Sequence, residues 1–452
     1  MKRIITIFAG LLAIAGTGTQ VNAQARQWTL RECIDYAVEH NIEIRQTALN
    51  VENAEIDLNT TQNSRLPNLN AGLGQNFSFG RTSVDVGGET PEYRNTQTSN
   101  TSASISAGMP LFQGFRISNQ LKADKLDLQA ATENLERAKQ NLELNVAALY
   151  LDVLFKKEIL AVYREQTSLT RRQVDNTRRM VDEGKVARAQ LLDIEAQLAR
   201  NEVNEVTASN DLALSLLNLE QALDLVPSPD FDVAEVDADS LTPAVAAAMR
   251  SPETIYQTAL GIKPSVREAQ LRLRSAEYGV KIARSAFFPS LSLSANAGVG
   301  YMYMFGQDFP QASLADQIRN RHSESVGLNL SIPIFNRNAT RNGVRAARLG
   351  VMNQTLALDG VRLALYKEIQ QAWQSAVAAE VRFDATTKAL AASEEAFRAM
   401  ELRYNNGKAT VYEYSDANTT LIASRSEQTR ARFDYLFSTK ILEFYAGEQI
   451  DI

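Results

Sequence analysis

The residues best suited to catalysis or metal binding in this sequence are two histidines and one cysteine. His40, His322 and Cys33 share no spacing that would let them bind one metal ion. The sequence also contains no His-Glu-x-x-His motif, no phosphate-binding loop and no nucleophile elbow. We therefore expect no catalytic residue, no metal site and no cofactor. The absence of these motifs from the sequence argues against an enzyme.

A short motif that ends in a carboxylate occurs twice. It reads DEGKVARAQLLD at 182–193 and NNGKATVYEYSD at 405–416, with Gly-Lys at the same place and an aspartate nine residues after the glycine. Glycine permits a tight chain reversal after a helix. Each motif is therefore predicted to form the tip of a helical hairpin, with tip turns at 183–186 and 406–409.

Two carboxylates follow the second Gly-Lys pair, at Glu413 and Asp416. Residues three apart lie on one face of a helix, so these two carboxylates are predicted to point the same way. The plain alternative is a solvated helix face with no further role.

The motif is part of a longer internal repeat. Pairs such as Arg45/Arg267 and Pro67/Pro289 match at an offset of 222, and Pro110/Pro333 and Leu198/Leu421 match at 223. The chain is therefore predicted to be a duplication. Its predicted parts are a first structural repeat at 24–226, a Pro-rich, acidic linker or equatorial segment at 227–251 and a second structural repeat at 252–452.

Residues 1–23 are predicted to be a signal peptide. Lys2 and Arg3 precede an apolar run of 12 residues, and Val-Asn-Ala at 21–23 fits a cleavage site. Twelve residues span only about 18 Å as a helix, which is short of a bilayer core and disfavours a membrane anchor. The net charge of −6 also argues against nucleic-acid binding.

Four segments alternate between apolar and small polar residues. They are predicted as strands at about 69–80, 98–110, 291–304 and 323–333. Their polar face is almost entirely Ser, Asn and Gly, and alternation of this kind is typical of outer-membrane barrel strands. The alternative is a half-buried sheet of a soluble protein, but two hairpins supply little material for a core.

Helices account for the rest of each repeat. Leucines seven residues apart predict a long helix over 115–182, about 100 Å at 1.5 Å per residue. Their repeat partners predict a second long helix in the other half. A shorter opening helix (30–65, 252–286) and a return helix (187–225 in the first repeat) together equal the long helix, so the two short helices are expected to stack end to end beside it.

Four strands cannot close a barrel, and open sheet edges cannot lie in lipid. Three copies supply twelve strands. The predicted fold is therefore mainly α with a membrane β part. A duplicated helix–β-hairpin–long helix–helix repeat would form, as a homotrimer, a 12-stranded β-barrel continued by an α-helical barrel.

This order of elements, with Pro-Leu-Phe-Gln-Gly-Phe at 110–115 and the doubled Gly-Lys turn, resembles the TolC-type outer membrane efflux proteins. The resemblance covers essentially the whole mature chain. It implies a channel-tunnel in the outer membrane that extends into the periplasm. It also implies docking onto a periplasmic adaptor and an inner-membrane RND or ABC transporter, for drug efflux or type I secretion, with outer membrane lipid as the surrounding medium.

The resemblance also assigns roles to residues at the hairpin tips. Glu413 and Asp416 match acidic residues that form a pore or selectivity ring. Tyr404 matches a gate tyrosine, but Gln190 stands where its aspartate partner would be, and Ala409 replaces the arginine of that latch. The adaptor-contact tips would be Gly184, Lys185, Gly407 and Lys408.

A periplasmic adaptor is the rival function, because adaptors also contain a long coiled-coil hairpin. An adaptor would need only one hairpin and no membrane-facing strands. The duplication and the two apolar-faced β-hairpins favour the channel.

Overall fold

A computed structural model describes residues 27–84, 92–234, 250–306 and 310–450. The predicted signal peptide at 1–23 lies outside the described residues, as do residues 235–249 of the predicted linker. No helix within these ranges is long and apolar enough to cross a membrane.

Apart from one short helix between the two long strands of the second half, the two halves of the chain fold into the same sequence of elements. The first half contains helices α1 Leu30–His40, α2 Ile42–Asn63, α3 Arg116–Asp182 and α4 Arg188–Ala222, and strands β1 Gln27–Trp28, β2 Asn68–Val84 and β3 Glu92–Gln113. After strand β4 Asp232–Val233, the second half contains helices α5 Pro252–Ile262, α6 Pro264–Ser285, α7 Leu314–Asn320, α8 Ala339–Asn405 and α9 Val411–Ala446, and strands β5 Ser290–Phe305 and β6 His322–Ser331. The duplicated, mainly helical fold is thereby confirmed.

The two long helices, α3 and α8, have 67 residues each, which corresponds to about 100 Å. In the first repeat, α1, α2 and α4 all pack along α3. In the second, α5, α6 and α9 pack along α8. Helix α6 also packs against α3 and so joins the two repeats.

Each opening helix is broken in two, whereas the sequence was interpreted as one helix. In the first repeat, the side chain of Asn41 accepts hydrogen bonds from the backbone N–H groups of Glu43 and Ile44 and so starts α2. In the second repeat, Pro264 occupies the first turn of α6, and its ring excludes the helical conformation at the preceding Lys263. The break therefore has a local cause in both halves.

Four long strands form one antiparallel sheet in the order β2-β3-β5-β6. The pairing of β3 with β5 puts Ile105 opposite Ala297 and Ala103 opposite Val299, so the apolar residues of all four strands share one face. Ile105 is 53% exposed, and Leu293 and Val299 are half-buried. None of these three side chains is enclosed in a water-soluble core.

Both outer strands of this sheet are open. Every described side chain of β2 and β6 is exposed, and the apolar face of β6 includes Val326 and Leu328, which are 78% and 67% exposed. Strand β6 starts at His322, opposite Val299, so the last residues of β5 have no strand partner on that side. There the side-chain amides of Gln311 and Gln317 form hydrogen bonds with the backbone of Met304 and Met302 and take the place of a strand.

The main hydrophobic core lies where α1 crosses the middle of α3. Tyr150 is fully buried there, and its hydroxyl donates to the carbonyls of Trp28, the last residue of β1, and of Ala234, which follows β4. Cys33 is fully buried in the same cluster, and burial raises the pKa of its thiol to about 12. This thiol therefore stays protonated at neutral pH.

The second repeat has a smaller core between α5, α6, α8 and α9, and Lys263 is buried beside it. Its Nζ donates to the carbonyl oxygen of Phe444 at 2.9 Å and lies 3.4 Å from the centre of that residue's ring. Asn41 occupies the equivalent place in the first repeat, where its Nδ2 donates to the carbonyl of Ala222. The two halves thus make similar helix-to-helix bonds with different side chains, to carbonyls one residue apart in the repeat.

Candidate functional site

The two hairpin tips have the same backbone geometry. Gly184 and Gly407 adopt φ values of +73° and +67°, a left-handed conformation that favours glycine. In both tips the lysine after the glycine donates its N–H to a carbonyl five residues earlier, that of Met180 or Arg403, at 2.8 Å. These bonds are the Schellman arrangement that ends a helix.

The tip lysines differ in their surroundings. Lys185 forms a 2.5 Å ion pair with Glu183, and both side chains are more than half exposed. Lys408 is exposed, and its backbone carbonyl accepts a hydrogen bond from Arg403. Both lysines are available to a partner.

Glu413 has a local structural role at the start of α9. Its carboxylate accepts hydrogen bonds from the N–H and hydroxyl of Thr410, and its own N–H donates to the Thr410 hydroxyl. This reciprocal pair is a capping box. The Thr410 N–H bond is the main reason that the pKa of Glu413 is lowered, so its carboxylate stays charged at neutral pH.

Thr-x-x-Glu at 410–413 is a sequence signature of a capping box, so this role of Glu413 could have been predicted from the sequence. The second oxygen of Glu413 lies 3.9 Å from Arg403. Asp416 is exposed one turn further along α9, and within the described ranges its carboxylate forms no ion pair. Of the two predicted ring residues, Asp416 therefore has the less compensated charge.

The predicted gate residues are not bonded to each other. Tyr404 packs in a small cluster with Val174, Ile194 and Val411, and its ring lies 4.8 Å from that of Tyr414. Gln190 lies in the first turn of α4, and among the residues described here no hydrogen bond joins it to the Tyr404 hydroxyl. The gate stays a prediction.

The cluster around Tyr404 connects the two hairpins near their tips. Val174 and Ile194 belong to the first hairpin and Val411 to the second. Ser415 donates to the side-chain oxygen of Gln197 across the same junction, at 3.2 Å. Beside it lies a groove of about 240 Å³, lined among others by Asp193, Arg200 and Tyr412. Sequence reasoning had not identified this groove, because its walls come from three helices.

Comparison with known proteins gives one consistent result. The family model described as "Outer membrane efflux protein" matches residues 33–224 and 255–448. Outer membrane efflux protein BepC of Brucella suis is 24% identical over 434 residues, covering 95% of this chain and 88% of BepC. Outer membrane protein TolC of Escherichia coli is 25% identical over 444 residues, covering 97% of this chain and 85% of TolC.

The fold of a solved structure agrees as well. A crystal structure of CusC superposes with a TM-score of 0.76 at 19% identity, covering 93% of this chain and 92% of CusC. At that identity the likeness speaks for the fold alone. It supports the duplicated arrangement of long helices and a four-stranded sheet.

Proposed function

The chain belongs to the outer membrane efflux protein family and is an outer membrane channel for efflux, and on that premise we propose that three copies assemble into one conduit. The family is one of channels and not of enzymes or periplasmic adaptors. Catalysis is not part of the proposed function.

The open four-stranded sheet is the observation that carries this proposal. Its edge strands β2 and β6 have unpaired backbone groups, which lipid cannot satisfy. Three copies would pair β6 of one chain with β2 of the next and close a barrel of twelve strands. The apolar faces would then contact lipid, and the Ser, Gly and Asn faces would line a water-filled lumen.

Helix packing within the chain indicates how the copies would meet. Helices α3 and α6 pack together, and an offset of 222 or 223 residues relates this pair to α8 and α2. The surfaces of α8 and α2 that would meet are apolar and exposed. Six large apolar side chains there are 55–70% exposed: Leu349, Met352, Leu356 and Leu363 on α8, and Leu49 and Ile56 on α2. We propose that α8 of one copy packs against α2 of the next.

Crosslinking tests this arrangement directly. In the chain, Arg267 and Glu133 approach to 3.9 Å across α3 and α6, and their repeat equivalents are Arg45 and Leu356. A variant with Arg45→Cys and Leu356→Cys, treated with a short bis-maleimide, is expected to give a covalent trimer on a denaturing gel. The matched control, Glu133→Cys with Arg267→Cys, is expected to crosslink within one chain.

Two results would contradict the proposal. One is a monomer in both variants, and the other is recovery of the chain in the soluble fraction instead of the outer membrane. The native Cys33 does not interfere, because it is fully buried.

The proposed partners are a periplasmic adaptor and an inner-membrane RND or ABC transporter. The exposed tip lysines, Lys185 and Lys408, together with Gly184 and Gly407, form the proposed adaptor contact. Crosslinking through the two lysines followed by mass spectrometry would identify the adaptor. Crosslinks only to outer membrane proteins, with none to a periplasmic protein, would count against this contact.

Glu413 and Asp416 are proposed to form an acidic ring at the periplasmic mouth, which would favour cations. The capping box complicates the usual alanine test, because Glu413→Ala would remove the cap together with the charge. Glu413→Gln retains an acceptor for Thr410, so Glu413→Gln with Asp416→Asn removes the charges and keeps the cap. Tyr404 and Gln190 are proposed to lie at the same constriction.

Reversal potentials in planar bilayers test the ring. The double variant is expected to lose cation selectivity and block by multivalent cations. Asp193→Asn, at the first-repeat equivalent of Asp416, is the control. Unchanged selectivity and unchanged block in the double variant would refute the ring.

A further inference from the structure

A row of arginines follows the last strand of the sheet. Arg337, Arg341, Arg345 and Arg348, called here the arginine ladder, are the only charged residues between Glu324 and Asp359. The chain as a whole carries a net charge of −6. This segment is therefore a strongly basic exception in an acidic protein.

The ladder has no partner among the residues that the structure describes. Arg341, Arg345 and Arg348 are spaced by four and three residues and so share one face of α8. All four side chains are exposed. Across residues 27–84, 92–234, 250–306 and 310–450, no hydrogen bond or ion pair involves their guanidinium groups.

The position on the helix makes this row of cations unfavourable by itself. It occupies the first turns of α8, where unpaired N–H groups and the helix dipole already present positive charge. The N-cap residue Asn338 makes no side-chain hydrogen bond to the helix. A bound anion would relieve both the mutual repulsion and the conflict with the dipole.

The ladder also lies directly beside the apolar face of the sheet. Ile332, Ile334 and Phe335 follow β6 directly and are 59%, 95% and 78% exposed. From the start of α8, Arg341 is about 3 Å and Arg345 about 9 Å along the axis at 1.5 Å per residue. A headgroup layer is roughly 5–8 Å thick on each side of the hydrocarbon core.

Side-chain direction favours the same location. Side chains of a helix lean toward its N-terminus, which for α8 is the end next to the sheet. Arginine side chains also extend along apolar surface while the charged group stays at the polar boundary. The guanidinium groups are thereby aimed toward the headgroup layer.

The first repeat lacks this feature. The equivalents of Arg341, Arg345 and Arg348 are Ser118, Lys122 and Lys125, and two aspartates, Asp124 and Asp127, lie in the same turns of α3. The charges there are mixed. The ladder is thus a property of the second repeat and not of the repeated fold.

We propose that the arginine ladder binds the phosphates of anionic phospholipid headgroups at the periplasmic surface of the outer membrane. Guanidinium groups bind phosphate oxygens in pairs, with two N–H groups per phosphate. Three ladders, one per copy, would fix the depth of the barrel in the membrane. This inference rests on the proposed trimeric barrel.

Lipid binding to the purified trimer tests the inference. Arg341→Gln with Arg345→Gln is compared with Lys122→Gln with Lys125→Gln, which removes the same charge from the first repeat. Dioleoyl-phosphatidylglycerol and dioleoyl-phosphatidylcholine are titrated in mixed micelles, and bound lipid is counted by native mass spectrometry. At about fivefold per basic residue, the arginine variant is expected to bind phosphatidylglycerol about 25-fold more weakly. The lysine variant is expected to bind as the wild type does.

Three results would overturn the inference. Equal loss in both variants would mean nonspecific attraction. Dissociation of the trimer by the arginine variant would mean that the ladder pairs with acidic groups of a neighbouring copy, such as Glu55 or Asp57. A change of anion permeability with lipid binding unchanged would place the ladder in the lumen. Failure of the wild type to form a trimer would contradict the proposed function instead.

Discussion

Lys263 gives this protein an unusual dependence of stability on pH. The side chain is only 6% exposed, and burial lowers its pKa to about 8, although the charges of Glu143 and Glu368 oppose the shift. In the unfolded chain its pKa returns to the ordinary value of 10.5. Between these two values the unfolded state binds more protons than the folded state, so stability must rise with pH.

The size of the effect follows from the two pKa values. Between pH 7 and pH 9 the folded lysine loses most of its proton while the unfolded lysine keeps it, which adds about 1.4 kcal/mol to the free energy of unfolding. Cys33 acts in the opposite direction, because its thiol stays protonated in the folded state while the unfolded thiol titrates near pH 9. Its titration lowers the free energy of unfolding by about 0.4 kcal/mol between pH 7 and pH 9.

Urea unfolding at pH 7 and pH 9, followed by tryptophan fluorescence, measures this gain. The two tryptophans are suitable probes, since Trp28 and Trp373 pack against the two main cores. The comparison with Lys263→Met cancels the thiol contribution. The wild type is expected to gain about 1.4 kcal/mol relative to the variant over this range. An equal pH response of the two proteins would refute a buried lysine of lowered pKa.

Three other perturbations have definite expected outcomes. Tyr150→Phe removes the side-chain donor to the carbonyl of Ala234 and one of the two donors to that of Trp28, and it should lower the free energy of unfolding by about 0.5–1.5 kcal/mol, whereas Tyr412→Phe at a 79% exposed ring should not change it. Gly407→Ala forces a left-handed backbone on alanine and should cost about 1–2 kcal/mol, whereas Gly279→Ala in open space within α6 should be neutral or stabilising. Equal effects of the two glycine variants in urea unfolding would contradict the tip geometry. Cys33 should resist maleimide at pH 7 until the protein is unfolded, and rapid labelling of the native protein would contradict its burial.

Much of this fold could be predicted from the sequence because its signals are local. Alternation with period two marks a strand with two different faces, and leucines seven apart mark a long helix, whatever the rest of the chain does. The internal offsets of 222 and 223 residues then required both halves to fold alike. The predicted class and the outer membrane efflux function are confirmed on this basis.

Two further local features could have been predicted from the sequence but were not. Thr410 and Glu413 have the spacing of a capping box, and Pro264 marks a helix start. The capping role matters for the candidate site, because it gives Glu413 a structural function besides its predicted place in an acidic ring.

Other features depended on the tertiary structure. Nothing near Lys263 in the sequence indicates that it is buried, since the carbonyl and ring that surround it belong to Phe444, 181 residues away. Likewise, Tyr404 packs against Tyr414 and Val174 and makes no bond with Gln190 in the described residues. Periodicity and turn residues set each element, because they act through neighbouring backbone. The surroundings of a side chain depend on which distant helices pack together, and only the folded chain determines that.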